Sequence, residues 1–334
     1  MAVIHDNIPS FDLFQPASID DAVSLLGRHG ADAWALAGGL DSMDWFKDRT
    51  KPHPKVVVDL GGIAELRGIR STADGIEIGA MTTLTEVANN EEILANYGLL
   101  AEAASLVATP QIRNQGTLGG NICQDTRCWY YRGGWPCYRA GGNICYADTP
   151  TSMNREHCIF GASRCVAVNP SDTAPAVVAL DAQMVVRRGG SDRVIDAEDF
   201  FIGPAEDITR MTALRPGDLL TAIRLPSTWA GQTFYFEKVR DRQAWDFPLA
   251  NIASAMRIEN GVVQDARIVI NAVAPYPMRL KNSEAELIGH SPDEELGATA
   301  GETAVSGAKP LAMNGFKVSL MRNLVKRAVR GTES

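Results

Sequence analysis

Six cysteines, the whole complement of a 334-residue chain, fall between Cys123 and Cys165, and positions 1–122 and 166–334 hold none. This uneven placement constrains the fold more than any other feature, because it demands one segment in which thiols serve a local purpose. A disulfide framework fits poorly: at 45% hydrophobic residues the chain can bury a full core without covalent staples. Ligation of a metal or a cluster by soft thiolates is the stronger reading. The surrounding stretch supports it. Over residues 110–175 Gly, Asn, Cys, Trp and Tyr dominate and helical periodicity disappears. A loop of that length inside a compact domain is functional or tied by a cofactor.

On either side of this segment the pattern is ordinary. Residues 18–30 begin with Ser, carry apolar residues at helical spacing and stop at Gly, which predicts a capped helix. Short apolar runs at 33–37 and 55–60, and the alternating run at 75–80, predict strands. Thr83 and Glu86 occupy capping-box positions for a helix over 83–89, and a small-residue-rich helix over 97–108 precedes Pro110. A helix over 173–180 and strands over 183–187 and 219–225 follow. A Pro- and Gly-bearing boundary at 226–231 leads to strands over 234–239, 252–258 and 266–273 and to two C-terminal helices. The basic residues of 317–330 read as a solvated helix face. The expected fold class is therefore mixed α/β, with a larger domain over 1–226, an insertion over 122–168, and a smaller α+β domain over 227–334.

Charge and composition exclude several classes. A net charge of −8 and a pI near 5.2 argue against nucleic acid as a partner. Nowhere do about eighteen apolar residues run together, so no membrane span is expected. Residues 1–14 lack the charged and apolar regions of a signal peptide, so the expected location is the cytoplasm, or the periplasm if a partner's signal exports the complex. No Ser-His-Asp set or paired carboxylates point to hydrolysis, and no catalytic residue is expected in this chain.

Two glycine-bearing turns carry the remaining chemistry. The first, Leu36-Ala37-Gly38-Gly39-Leu40-Asp41-Ser42, follows a predicted strand. Adjacent glycines let backbone N–H groups approach an anion, although this is not the G-x-G-x-x-G fingerprint and no helix of the right type is expected to follow at once. The second, Thr117-Leu118-Gly119-Gly120-Asn121, pairs Gly with hydroxyl and amide side chains, which suits a polar ligand lying against backbone. Each alone also fits an ordinary tight turn; the pair is more telling.

Together with Asn169-Pro170-Ser171-Asp172 and the stretch from Lys238 to Asp246, these turns resemble the FAD-binding medium subunit of the xanthine dehydrogenase/molybdenum hydroxylase family. The resemblance extends over nearly the whole chain. It implies a two-subdomain FAD domain of the vanillyl-alcohol-oxidase type, followed by a CO dehydrogenase flavoprotein C-terminal type domain. It also implies that Leu36, Ala37, Gly38, Gly39, Leu40, Asp41, Ser42, Thr117, Gly119, Gly120 and Asn121 surround the FAD diphosphate. Ser171 and Asp172 would lie near the adenosine half, and Lys238 and Asp246 would face the flavin. Leu40 stands where the family usually has Thr or Ser, so a hydroxyl contact is lost there.

The insertion is similar to that of 4-hydroxybenzoyl-CoA reductase medium subunits and of periplasmic aldehyde oxidoreductase flavin subunits, which carry a [4Fe–4S] cluster. The resemblance implies Cys128, Cys137, Cys145 and Cys165 as its ligands. Cys123 and Cys158 are left over, and Cys158, next to His157, is an alternative to Cys165. Zinc is the rival occupant, although spacings of 9, 8 and 20 residues lack the close Cys pairs usual for zinc. The implied partners are a molybdopterin-binding large subunit and a [2Fe–2S] small subunit, as a trimer or its dimer, and an external carrier such as ferredoxin. Two other readings are a self-sufficient FAD oxidase, for which 227–334 is short as a substrate cap, and a non-catalytic zinc-stabilised scaffold.

Overall fold

The computed structural model describes residues 7–331; the outermost ends of both expected domains lie outside them. Three sheets organise the chain. The first is parallel, with strand Val56–Asp59 between Asp12–Phe14 and Ala33–Leu36. Helix Ile19–His29 links the first two strands in sequence. The Ser18 side chain accepts from the Asp21 amide at its start and Gly30, at φ +54°, ends it. Its Ala22, Val23 and Leu26 pack on Val56 and Val58. Val57, pointing the other way, packs against Trp45 and Phe46 of helix Ser42–Asp48 and against Tyr131 and Cys137. Parallel sheets need cover on both faces. Here part of the cysteine segment supplies one cover.

The second sheet is antiparallel, in the order Ile69–Thr72, Gly75–Gly79, Leu219–Pro226, Gln183–Arg188, Ser191–Asp196. Its core includes residues of helices Leu84–Asn89, Glu91–Asn96, Gly98–Ser105 and Thr173–Ala179. The expected capping box forms: Thr83 accepts from the Glu86 amide while Glu86 accepts from the Thr83 amide.

The third sheet, order Met278–Arg279, Val262–Asn271, Ala250–Glu259, Thr233–Val239, is also antiparallel. Period-two alternation divides its faces. Ile252, Met256, Ile268 and Ile270 pack toward helices Lys281–Leu287, Glu294–Val305 and Phe316–Arg330. Ala253, Ala255 and Val269 pack into the core that includes helix Thr173–Ala179. All seven residues of that helix are buried, so it is the joint between the two larger sheets.

The structure corrects the sequence expectation at four places. A helix, Ser42–Asp48, does follow the first glycine turn at once. A third C-terminal helix, Lys281–Leu287, has too few apolar positions to show a helical period. Strands Ile69–Thr72 and Ser191–Asp196 are exposed and polar, so they lack the apolar alternation by which strands are read. Lys317, placed on a solvated face, is fully buried, and its Nζ donates to the carbonyls of His157 (3.1 Å) and Ala272 (2.9 Å). Among the described residues no helix is long and apolar enough to cross a membrane.

Candidate functional site

Strand Ala33–Leu36 delivers the first glycine turn and the second sheet delivers the other. Gly39 sits at φ +78°, a conformation that favours glycine. A Cβ on Gly38 would stand 2.4 Å from the Gln115 carbonyl oxygen and 3.2 Å from the Gly116 Cα, so the two turns touch backbone to backbone only because no side chain intervenes. The Gln115 side chain ties them by donating to the Gly38 carbonyl at 3.0 Å. Thr117 accepts from the Gly120 amide at 3.0 Å, and Gly119 packs so tightly on Ala80 that a Cβ would lie 2.8 Å away. These contacts fasten the second turn to the sheet.

Between the turns runs a cleft of about 500 Å³, a size that suits a small organic ligand or cofactor. Ala37, Gly38, Gly39, Leu40, Asp41 and Ser42 line it from one turn, and Gly116, Thr117, Gly120 and Asn121 from the other. The insertion adds Cys123, Gln124, Asp125 and Arg127, and Trp245, Asp246 and Phe247 come from the C-terminal part. Trp245 is held there, at φ +74°, by its amide donating to Ala108, itself at φ +41°. Among the described residues Lys51 and Arg127 are the cations on the wall.

The sequence-identified residues separate into two groups. Most line the cleft. Leu36 packs into the cluster of Trp45, Phe46 and Val57, and Gly119 is turned onto Ala80. Ser171 lies behind the wall, where its hydroxyl donates to Asn121 Oδ1 at 2.7 Å, and Thr173 donates to the same oxygen at 2.7 Å. Asn121 is thereby oriented from beneath. Lys238 is also behind the wall: its Nζ donates to Asp172 Oδ2 at 2.6 Å and to the Leu106 carbonyl at 3.0 Å. Both partners of that pair are almost wholly buried. Burial pushes the Asp172 carboxyl up to about 6 against the pull of Lys238, and removing either charge would leave the other uncompensated.

Side chains at the first turn are already engaged. Asp41 Oδ1 accepts from Arg127 Nη1 at 2.6 Å and Arg132 Nη2 at 2.7 Å, and its Oδ2 accepts from Trp45 Nε1 at 2.9 Å. Ser42 accepts from Trp34 Nε1 at 3.0 Å. Asp125, fully buried, pairs with Lys51 at 2.5 Å and Arg139 at 2.6 Å. Burial raises its carboxyl, but the two cations outweigh burial and hold it below the ordinary range. These ion pairs bolt the first half of the insertion to the first turn. An anion at the first turn would therefore meet backbone N–H groups first, whereas at the second turn the amides of Leu118, Gly119 and Gly120 already donate to Thr82, Ala80 and Thr117.

The second half of the insertion is fastened elsewhere. Asn154 accepts from the Met313 amide, and Asn314 donates to the carbonyls of His157 and Cys158. Arg155 forms a two-pronged pair with Asp241 at 2.8 Å. Between these anchors lie the thiols. Cys128 lies within electrostatic reach of Cys145 and Cys165, Cys158 within reach of Cys145 and Cys165, and Cys165 within reach of Cys137 and Cys145. Burial pushes Cys128 and Cys158 up to about 12, and Cys165 upward as well, each neighbouring thiol adding to the effect. His157 Nε2 lies 3.2 Å from Cys128 Sγ. Cys123 stands apart as a cleft residue, raised to about 12 by burial alone. All six thiols are free.

The donor set fits an iron–sulfur cluster in kind, since soft thiols neighbour one another in a shielded segment. It is not drawn together: among the described residues no three His, Cys, Asp or Glu side chains are arranged to hold a metal ion.

Sequence reasoning missed Trp34, Trp45, Lys51, Gln124, Arg127, Trp245 and Phe247 as cleft residues. Trp245 and Phe247 flank Asp246, and Gln124 and Arg127 lie between Asn121 and Cys128, so adjacency was an available signal. Lys51 had none.

A two-turn glycine cleft on mixed α/β sheets suits a nucleotide ligand, and comparison with known proteins makes the class specific. The model of the FAD binding domain in molybdopterin dehydrogenase matches residues 9–228, and that of the CO dehydrogenase flavoprotein C-terminal domain matches residues 234–332. The carbon monoxide dehydrogenase medium chain of Hydrogenophaga pseudoflava is 29% identical over 326 residues, 96% of each chain. The aldehyde oxidoreductase FAD-binding subunit PaoB of Escherichia coli is 32% identical over 292 residues, 86% of this chain and 87% of that one. A solved carbon monoxide dehydrogenase from H. pseudoflava, which lacks the Mo-pyranopterin moiety, superposes with a TM-score of 0.76 at 30% identity over 97% of each chain. The chain belongs to the family of FAD-binding medium subunits of xanthine dehydrogenase/CO dehydrogenase-type oxidoreductases.

Proposed function

We propose that this chain is the electron-transferring subunit of a molybdopterin-dependent hydroxylase or dehydroxylase complex, with FAD in the glycine cleft and a [4Fe–4S] cluster in the insertion. The observation that carries the reading is the cleft itself, whose two turns meet through glycine backbone. The residues fit FAD: Ala37, Gly38 and Gly39 of the first turn and Thr117 and Gly120 of the second line a cleft of suitable size, and Asn121 is held in place by Ser171 and Thr173. Bound FAD supplies the ability to take electrons in pairs and release them singly, joining a two-electron partner to one-electron carriers. Trp34, Trp45, Trp245 and Phe247 give the cleft walls aromatic surface, and Asp172, through Lys238, fixes the C-terminal part against the FAD domain.

Cys128, Cys137, Cys145 and Cys165 are the proposed cluster ligands, with Cys158 as the alternative to Cys165. The mutual influence of these thiols supports the assignment. Raised thiols become ligands only when a metal's charge displaces their protons. The partners we propose are a molybdopterin-binding large subunit, where substrate reacts, and a [2Fe–2S] small subunit, in a trimer or a dimer of trimers. Ferredoxin or another carrier would exchange electrons at the insertion, as in the 4-hydroxybenzoyl-CoA reductases that the insertion resembles. We place the complex in the cytoplasm, to be checked by fractionation.

Anaerobic purification tests the reading. The expected product is yellow-brown, with about one FAD and about four irons per chain and matching acid-labile sulfide. Zinc without iron would overturn the cluster; a colourless chain that takes up no flavin would overturn the whole reading.

A further inference from the structure

We propose that Arg127, contributed by the cysteine insertion and not by either glycine turn, is the cation that pairs with the phosphates of the dinucleotide. The proposal rests on the FAD reading of the cleft but not on the cluster. It begins from charge. Around the first turn Arg127, Arg132, Arg139 and Lys51 meet three carboxylates, Asp41, Asp44 and Asp125, so one positive charge is in excess. A diphosphate bound by neutral backbone N–H groups alone would sit beside those carboxylates without compensation.

Of the four cations, geometry singles out Arg127. Arg139 is deeply buried and occupied by Asp125 and by the carbonyls of Ile208 and Thr209. Arg132 is mostly buried, with its guanidinium carbon 3.4 Å from the Trp45 ring centre. Lys51 is committed to Asp125 and lies over the Trp45 ring at 4.8 Å. Arg127 keeps 35% of its side chain exposed, lines the cleft, and among the described residues makes one hydrogen bond, from Nη1 to Asp41. Its Asp44 contact is long, at 3.8 Å. Arg132 also donates to the same Asp41 oxygen. Arg127 can therefore turn to a phosphate without stranding Asp41, and a guanidinium fork matches phosphate oxygens better than an ammonium does. On its other side lies the ring of Phe247, 4.8 Å from the guanidinium carbon. Arg127 thus joins the insertion, the first turn and the C-terminal wall of the cleft. This gives the insertion a role in flavin binding that does not depend on its metal.

The test is titration of the full-length, deflavinated chain with FAD and with riboflavin, which lacks phosphate, at several salt concentrations. For Arg127→Ala the expected result is a loss of FAD affinity of about 30-fold, with riboflavin affinity within about two-fold of the parent. The salt dependence of FAD binding should also flatten. Arg127→Lys should fall between the two, because it keeps charge and loses the fork. Equal loss for both ligands would show that Arg127 merely supports the fold and would overturn the proposal, as would an unchanged FAD affinity. A parent chain that binds neither flavin would refute the flavin reading itself, and with it this proposal.

Discussion

The glycine cleft and the cysteine insertion are neighbours, yet they are built on opposite principles. The cleft is made of backbone: Gly38 and Gly119 let main chains approach, on Gln115 and on Ala80, where any Cβ would collide. The insertion is made of side chains. Its ends are pinned by ion pairs and side-chain amide hydrogen bonds, from Asp41–Arg132 at one side to Asn154 and Asn314 at the other, with the thiols between them. The difference follows from chemistry. Backbone N–H groups are always present and uncharged, so they can be preorganised for an anion at little cost. Thiolates repel one another and are costly to bury, so four of them converge only with a metal to share.

The contrast can be broken most forcefully at the joint that supports the cleft. Asp172→Ala leaves Lys238 buried without its counter-ion and should cost about 3–5 kcal/mol in urea unfolding, with flavin lost in parallel. Gly38→Ala comes next. Backbone collision with Gln115 should cost about 2–3 kcal/mol and abolish flavin retention, whereas Gly134→Ala in the insertion, at φ +77° with open space around it, should cost about 1 kcal/mol and leave flavin in place. Equal effects at the two glycines would erase the distinction between a backbone-built and a side-chain-built site.

Lys317 tests the anchor of the insertion through pH. Burial lowers it from the ordinary lysine value of 10.5 to about 7. Between about 7 and 10.5 the unfolded chain holds a proton that the folded chain lacks, so stability from this group rises with pH across that window, by at most about 1.4 kcal/mol per unit. Lys317→Met should flatten the slope in denaturation curves taken at several pH values. The smallest stability effects are expected among the thiols, where the readout is iron. Cys137→Ser should lose the metal while Cys123→Ser, in the cleft, keeps it; full iron in both would refute the ligand assignment.

Much of this was legible in the sequence for physical reasons. The helix from Ile19 is written in its Ser cap and Gly stop, and the two glycine turns are visible through their partner residues, since Gly61-Gly62, Gly133-Gly134, Gly141-Gly142 and Gly189-Gly190 are glycine pairs outside the cleft. What the sequence hid is pairing at a distance. Nothing in the order of residues shows that Asp41 belongs to Arg127 and Arg132 rather than to a ligand, that Lys238 reaches the cleft only through Asp172, or that Lys317 is buried under His157. Long charged side chains carry no periodic signal, and their partners are fixed only when the sheets assemble. The exposed strand Ser191–Asp196 was missed for a related reason: its partner, not its composition, makes it a strand.

The most direct measurement follows both cofactors in one sample. Iron is removed from the anaerobically purified chain by chelation, then FAD content and amide hydrogen exchange are recorded. FAD should remain at about one per chain, because the pairs of Arg127 and Arg132 with Asp41, rather than metal, hold the start of the insertion against the first turn, and exchange should rise between the thiols. Flavin that leaves with the iron, or exchange that rises equally at both glycine turns, would contradict the account.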